Sequence, residues 1–239
     1  MVDLKNREHI LYSDSSFVVT EAIKAVRTNL IFTVAKEEKP IISITSAFMG
    51  EGKSTVCANV ALAFAESGFK TLIIDADMRK PTINKFFKIR SSPGLSDLLG
   101  GITKESTILN TSYKNLYILP SGTIPPNPSE LLTSERMSLL LGELREKFDY
   151  IFIDTPPVLI VTDAITLANK VTGTVIAVKQ NYSRTNDVKE AVDLFRNIDL
   201  EILGFVFNNY NMETKSRRGR YGSYGHAYEY TSETKKRDT

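Results

Sequence analysis

Six short apolar segments recur along the chain, separated by longer segments of mixed polarity. They are rich in Ile and Val and show little alternation between polar and apolar positions. Strands buried on both faces have this pattern, which is typical of a parallel sheet. The predicted strands are IISIT (41–45), TLIID (71–75), LYIL (116–119), YIFID (150–154), TVIAV (174–178) and ILGFVF (202–207).

Helical patterns lie between these strands, at residues 54–68, 126–148 and 187–198. The first should end at Gly68. In the second, Asn127 is a predicted N-cap, Pro128 the first helical residue and Glu130 the partner in a capping box. The alternation predicts an α/β fold with a doubly wound, mainly parallel sheet flanked by helices.

The two ends of the chain differ from this central pattern. Residues 15–38 predict a separate amphipathic helix, and the hydrophobic pattern stops after residue 211. The last segment is rich in Gly, Ser, Arg, Lys and Tyr, a composition that predicts a flexible tail. We therefore predict three parts: an N-terminal segment (1–39), an α/β domain (40–211) and a tail (212–239).

One segment, IISITSAFMGEGKST (41–55), predicts a phosphate-binding P-loop. It fits the pattern GxxxxGK[ST] except that Ala47 replaces the first Gly. The glycines let backbone N–H groups converge on phosphate oxygens, and the following helix adds its positive dipole end. A chance Gly-rich turn is the alternative, but strand, turn and helix stand in the required order. The predicted nucleotide-binding residues here are Gly50, Glu51, Gly52, Lys53, Ser54 and Thr55.

Carboxylates follow two of the buried strands. Asp75 ends one strand and Asp77 comes two residues later, and Asp154 ends another strand before Thr-Pro-Pro. Ligands of open α/β sheets bind at the carboxyl ends of strands, so these groups can hold Mg²⁺ or accept a proton. Each could instead only stabilise a turn. Arg79 could contact phosphate or simply solvate its loop.

Composition narrows the function classes only slightly. The chain has 239 residues, 42% of them hydrophobic, and a formal net charge of +2, which does not by itself indicate nucleic-acid binding. The single cysteine, Cys57, excludes an intrachain disulfide and suits a reducing cytoplasm. We expect no signal peptide and no membrane span, because no segment approaches the ~20 apolar residues that a span needs.

The motifs together resemble those of the bacterial tyrosine autokinases (BY-kinases) of capsule and exopolysaccharide systems. The resemblance covers GEGKS, the second acidic motif LIIDADMR, IDTPP, IPPNPSELL (124–132), the N-terminal EAIKAVRTNL (21–30) and the C-terminal tyrosines. It implies an enzyme, a protein-tyrosine kinase that uses ATP and Mg²⁺, phosphorylates its own C-terminal tyrosines in trans, and regulates capsular or exopolysaccharide synthesis and export.

The resemblance also implies a role for each matching residue. Lys53 is expected to bind the β- and γ-phosphates and Asp75 to act as the base, although the sequence does not settle which of Asp75 and Asp77 does so. The implied catalytic residues are Lys53, Asp75 and Asp77, and the implied metal ligands are Ser54, Asp77 and Asp154. Asn208, at the end of the last predicted strand, is expected to hold the adenine base or to stabilise a turn.

A related class, the septum-site and partition ATPases, gives the alternative: an ATPase switch without kinase activity. Members of that class typically carry an additional lysine five residues before the invariant one. Phe48 occupies this position here. They also lack a terminal tyrosine cluster, so two features favour the kinase.

Partners follow from the resemblance alone. Glu21, Lys24 and Arg27 share one helix face and match a self-association motif in which the family has Arg at the position of Lys24. A homo-oligomer, which is ring-shaped in some members of this family, is therefore expected, together with a membrane adaptor of the polysaccharide chain-length regulator type and a cognate tyrosine phosphatase. The adaptor would recruit this cytoplasmic chain to the inner face of the plasma membrane.

The tail carries the expected phosphate acceptors. Residues 215–239 contain seven Lys or Arg and three acidic residues, so the tail is basic. Arg-Gly with interleaved Tyr can also bind nucleic acid, and a solvated end without a role is the third alternative. The cluster is short, and we expect no nucleic-acid partner. The expected phosphoacceptors are Tyr221, Tyr224, Tyr228 and Tyr230.

Overall fold

The structure is a computed structural model and describes residues 16–103 and 107–209. A helix precedes an alternating series of strands and helices. In chain order the helices are α1 (Phe17–Thr33), α2 (Lys53–Glu66), α3 (Ile83–Phe87), α4 (Leu95–Leu99), α5 (Pro128–Thr133), α6 (Glu135–Lys147), α7 (Asp163–Thr166) and α8 (Thr185–Arg196). The strands are β1 (Ile41–Ser46), β2 (Thr71–Asp75), β3 (Leu109–Asn110), β4 (Leu116–Leu119), β5 (Tyr150–Asp154), β6 (Gly173–Lys179) and β7 (Ile202–Asn208).

One seven-stranded sheet has the order β3-β4-β2-β5-β1-β6-β7. All pairings are parallel except that of the two-residue strand β3 with β4. The β1 strand lies between β5 and β6, and β5 also pairs with β2. The predicted mainly parallel α/β sheet is confirmed, and the carboxyl ends of β1, β2 and β5 lie side by side.

Hydrophobic cores cover both faces of the sheet, which explains the continuous apolar strands. On one face Ile42, Ile73 and Phe152 pack with α1 and α2. On the other face Ile41, Leu72, Ile74, Ile151 and Ile153 pack with residues of α4, α5 and α6. Successive strand residues therefore enter opposite cores, so most of them carry apolar side chains.

The helix α2 is almost wholly buried. It carries a run of small and apolar residues, from Val56 to Ala65, that contacts the sheet on one side and α1 on the other. It ends at Glu66, and Gly68 adopts a left-handed φ of 97° directly after it, as the sequence predicts. The P-loop is thus attached to a helix held firmly inside the domain.

The prediction of one helix over residues 126–148 is wrong. Ser134 has an extended ψ of 153° and separates α5 from α6. Its hydroxyl caps α6 by accepting a hydrogen bond from the N–H of Met137 at 3.3 Å. Pro128 does begin α5, but the side chain of Asn127 donates to the Glu130 carboxylate and caps no backbone N–H, so the predicted capping box is also wrong.

Other elements differ from the prediction in extent. The helix α1 is shorter than the predicted segment 15–38 and ends at Thr33. Five short elements were not predicted: β3, α3, α4, α7 and a 3₁₀ turn at Ala168–Lys170. Each has two to five residues, too few for a periodic pattern to emerge. The three-part division of the chain stays a prediction.

Candidate nucleotide and phosphoryl-transfer site

The P-loop is the turn between β1 and α2. Gly50 and Gly52 adopt left-handed φ values of 83° and 91°. A Cβ on Gly52 would also lie 1.9 Å from Nδ2 of Asn208, so a side chain at this position would both strain the backbone and clash. The turn directs the chain into the first residue of α2, Lys53.

Lys53 joins two of the predicted carboxylates. Its Nζ lies 2.8 Å from Oδ2 of Asp77 and 3.5 Å from Oδ1 of Asp154. Burial by itself lowers the pKa of Lys53, but the charges of Asp154 and Asp77 outweigh it and hold the pKa above its usual value. The ammonium therefore stays charged and fixed at the carboxyl ends of β2 and β5.

Ser54 is the second side chain of α2 at this position. Its hydroxyl donates to Oδ2 of Asp154 at 2.6 Å and accepts a 3.2 Å hydrogen bond from Lys53 Nζ. Asp154 is fully buried. The predicted residues Lys53, Ser54, Asp77 and Asp154 therefore form one connected cluster.

Asp75 lies beside Asp154 because the two residues are paired in register between β2 and β5. Oδ2 of Asp75 accepts hydrogen bonds from the N–H groups of Thr82 and Ile83, each at 3.1 Å. Burial, followed by the negative charge of Asp154, raises the pKa of Asp75 to about 8. Burial also raises the pKa of Asp154 to about 6, against the opposing effect of Lys53.

The donor set fits a magnesium ion bound together with phosphates. Within residues 16–103 and 107–209, no three His, Cys, Asp or Glu side chains form a complete set of metal ligands. Mg²⁺ usually takes only one or two carboxylates and completes its shell with water and substrate phosphates. Oδ1 of Asp154 and Oδ1 of Asp75 are buried and accept no hydrogen bond from any described residue, so they remain available to a cation and its waters.

Comparison with known proteins agrees with this geometry. Residues 37–235 match the ParA family model, whose description is NUBPL iron-transfer P-loop NTPase. Tyrosine-protein kinase YwqD of Bacillus subtilis is 35% identical over 218 residues, which cover 91% of this chain and 92% of YwqD. The chain belongs to the bacterial tyrosine-kinase family. It therefore belongs to the tyrosine kinases among the ParA-type P-loop NTPases.

Two solved structures have folds similar to that of this chain. The chimerical protein CapA2B2 has a TM-score of 0.80 and 37% identity, covering 85% of this chain and 90% of that one. The septum site-determining protein MinD of Pyrococcus horikoshii, complexed with Mg-ADP, has a TM-score of 0.62 and 29% identity, covering 72% and 71%. The similarities to tyrosine-protein kinase YwqD and to CapA2B2 have higher identity and cover more of this chain than the similarity to MinD, so the partition-type alternative is not favoured.

Some residues of this kinase-family site were not found from the sequence. Arg79 was expected to contact phosphate or to solvate its loop; in the structure its Nε lies 3.0 Å from Oδ2 of the fully buried Asp163. Ser129 donates to the same carboxylate. This cluster links the loop after β2 to α5 and α7. A buried Asp at the start of a four-residue helix has no sequence signal of its own.

The side chain of Glu51 is used inside the P-loop. Its carboxylate is buried, accepts the N–H of Phe48 at 2.8 Å and accepts the hydroxyl of Ser183. Asn208, the predicted contact of the adenine base, donates from Nδ2 to the carbonyl of Glu51 at 3.1 Å. Both residues thus lie at the P-loop, and the side chain of each is hydrogen-bonded to another part of the protein.

The predicted self-association residues lie on α1. Lys24 pairs with Glu21 at 2.9 Å on the exposed helix surface. Arg27 instead reaches α2, where its Nη1 donates to the carbonyl of Ala63 at 3.4 Å and to the hydroxyl of Ser67. Arg27 therefore attaches α1 to the C-terminal end of the P-loop helix.

Two further points concern the rest of the chain. The predicted phosphoacceptors Tyr221, Tyr224, Tyr228 and Tyr230 lie outside the described residues. Among the residues that the structure does describe, no helix combines the length and the apolar character required to cross a membrane.

Proposed function

We propose that this protein transfers the γ-phosphoryl group of ATP to tyrosine hydroxyls, and that its acceptors include the C-terminal tyrosines of another copy of the chain. The observation that carries the proposal is the position of Lys53, held between Asp77 and Asp154 at the carboxyl ends of two neighbouring strands. The names of its relatives support the acceptor class.

We propose that nucleotide binding uses the P-loop backbone and the first turn of α2. The N–H groups of Gly50 to Gly52 and the helix N-terminus would contact phosphate oxygens, with Lys53 as the cation. Thr55 would add its N–H and hydroxyl in the same turn, and Asn208 would contact the base. The Mg-ADP in the similar MinD structure supports this class of ligand.

The magnesium ion would be held by Ser54 and Asp154, with Asp77 as the further ligand. When bound, Mg-ATP supplies the phosphoryl group and the ion that neutralises its charge. Lys53 would exchange its contact with Asp77 for the phosphates, which would release that carboxylate. Phosphoryl transfer depends mainly on positioning and charge, which these side chains provide.

Asp75 is the proposed base. A carboxylate with a pKa of about 8 is closer to a phenol, with its pKa of ~10, than an ordinary Asp would be. Its Oδ1 accepts no hydrogen bond from a described residue, so a lone pair is available for the phenolic proton. The backbone N–H groups of Thr82 and Ile83 hold the other oxygen and orient the group.

The tail would deliver the acceptor. Nineteen residues between Asn211 and Tyr230 span roughly 25 Å as a flexible chain, against a domain of roughly 40 Å by size scaling. We propose that Tyr221, Tyr224, Tyr228 and Tyr230 are phosphorylated in trans within a homo-oligomer.

We further propose a membrane adaptor that recruits the chain to the inner face of the plasma membrane, a cognate tyrosine phosphatase, and a regulatory role in capsular or exopolysaccharide synthesis.

The test is phosphotyrosine formation by Lys53→Met. We expect the purified variant to fold and to form no phosphotyrosine with Mg-ATP. Lys147→Met is the matched control, because Lys147 is an exposed residue of α6. This variant should form as much phosphotyrosine as the wild type, and peptide mapping should locate the phosphotyrosine in the tail. Persistent phosphotyrosine in Lys53→Met would contradict the proposal, and ATP hydrolysis without phosphotyrosine in the wild type would indicate the ATPase switch.

A further inference from the structure

Three successive carbonyl groups of the P-loop are held by side chains from outside the loop. The hydroxyl of Tyr182 donates to the carbonyl of Met49 at 2.9 Å. Nζ of Lys179 donates to the carbonyl of Gly50 at 3.1 Å. Nδ2 of Asn208 donates to the carbonyl of Glu51, also at 3.1 Å.

These donors come from β6, from the turn that follows it, and from β7. Lys179 is the last residue of β6 and Tyr182 lies in the turn between β6 and α8, whereas Asn208 ends β7. The Tyr182 ring also receives the Lys179 ammonium 4.9 Å from its centroid, so the two side chains fix one another. Ser183, next in the turn, donates to the carboxylate of Glu51.

Peptide geometry gives these contacts a consequence for phosphate binding. The C=O of one residue and the N–H of the next lie in one plane and point in opposite directions. Holding the carbonyls of Met49, Gly50 and Glu51 towards β6 and β7 therefore directs the N–H groups of Gly50, Glu51 and Gly52 away from them. Those N–H groups are the ones that a P-loop presents to phosphate.

We propose that Lys179, Tyr182 and Asn208 form a carbonyl clamp that pre-organises the P-loop for the phosphates of the nucleotide. They are positioning residues, since each acts through the loop backbone. The inference rests on the proposed ATP site and extends it to the turn between β6 and α8. A loop already in its binding conformation loses less conformational freedom when the ligand binds, so the clamp raises affinity.

The first test removes one hydroxyl. Tyr182→Phe keeps the ring above Lys179 and loses the hydrogen bond to Met49. We expect calorimetry to show that Kd rises about 3-fold for Mg-ADP and by the same factor for Mg-pyrophosphate. KM for ATP should rise by that factor with kcat unchanged, because the clamp strengthens ground-state and transition-state binding equally. Tyr113→Phe, at the remote turn between β3 and β4, should bind both ligands like the wild type.

The second test combines Tyr182→Phe with Lys179→Met, which leaves only Asn208. The Kd for both ligands should rise about 10-fold, with an unchanged unfolding midpoint in the absence of ligand. Wild-type affinity for both ligands in this double variant would overturn the clamp. A loss confined to Mg-ADP would overturn it too, because it would assign Tyr182 to the nucleoside. The Kd measurements in both tests need no phosphoryl transfer, so they stand apart from the outcome of Lys53→Met.

Discussion

The hydroxyl of Ser54 donates a 2.6 Å hydrogen bond to Oδ2 of Asp154, joining the first turn of α2 to the tip of β5. The second oxygen of Asp154 is buried and accepts no hydrogen bond from a described residue. One carboxylate thus holds the P-loop helix with one oxygen and presents the other to the site. This arrangement leaves Asp154 one oxygen for the metal-binding role that we propose.

Asp154→Asn should separate these two roles. The amide oxygen can still accept the Ser54 hydrogen bond, but the charge that attracts a divalent cation is lost. We expect the Kd for ADP measured with Mg²⁺ to rise about 10-fold, on the order of 1.4 kcal/mol, with little change when EDTA is present. Calorimetry in the two buffers makes the comparison. An equal loss in both buffers would indicate that Asp154 acts on the P-loop and not through the ion.

Asp75 should make the stability of the nucleotide-free protein depend on pH. Its pKa is raised from 3.8 to about 8, so between these values the folded protein keeps a proton that the unfolded chain releases. The free energy of unfolding therefore falls as pH rises from about 4 to about 8, by at most about 1.4 kcal/mol per pH unit from this group. Above pH 8 this contribution levels off.

Asp75→Asn removes that dependence, since the amide cannot ionise and can still accept from Thr82 and Ile83. The variant should gain stability over the wild type as pH rises, with the difference largest near pH 8. Urea unfolding at pH 5 and pH 8, with EDTA and without nucleotide, provides the measurement. Parallel pH profiles for the two proteins would show that Asp75 ionises normally in the folded state.

The ion pair between Arg79 and the buried Asp163 should contribute to stability. Arg79→Ala leaves a fully buried carboxylate with the Ser129 hydroxyl as its remaining described donor. Because Arg79 is partly exposed, we expect a loss of about 1–3 kcal/mol, below the full value for a buried pair.

The matched control is Arg196→Ala, which breaks an exposed pair with Asp193 at 4.0 Å and should change the free energy of unfolding by under about 0.5 kcal/mol. A double-mutant cycle of Arg79→Ala with Asp163→Asn isolates the interaction from other effects of each change. A coupling energy near zero would refute the assignment.

Arg27 should connect self-association with the P-loop helix. It holds α1 against Ala63 and Ser67 at the end of α2, so Arg27→Ala should loosen α1 and reduce the mass of the oligomer in solution. Lys36→Ala, a change at an exposed residue just after α1, is the control and should leave the mass unchanged. Light scattering over a concentration series gives the mass, and an unchanged oligomer in Arg27→Ala would exclude this role.

The sequence determined the type of fold and the main chemistry of the site. Strands buried on both faces are mainly apolar with little alternation, so β1, β2 and β5 are evident as Ile-rich segments. The P-loop requires Gly50 and Gly52 for its φ values and Lys53 for its charge, and these requirements act within a few residues. Local constraints of this kind leave a clear pattern in the chain.

Only the tertiary structure decided which distant groups meet. Asp75 lies beside Asp154 because β2 pairs with β5, and the strand order is not encoded in any single segment. The contacts of Tyr182 with Met49 and of Arg79 with Asp163 join residues 133 and 84 positions apart, so no local pattern indicates them. The break at Ser134 was missed because helical periodicity continues on both sides of it. These contacts are set by how the elements pack and not by local propensity. Each side chain could form the same kind of contact with other residues elsewhere in the chain.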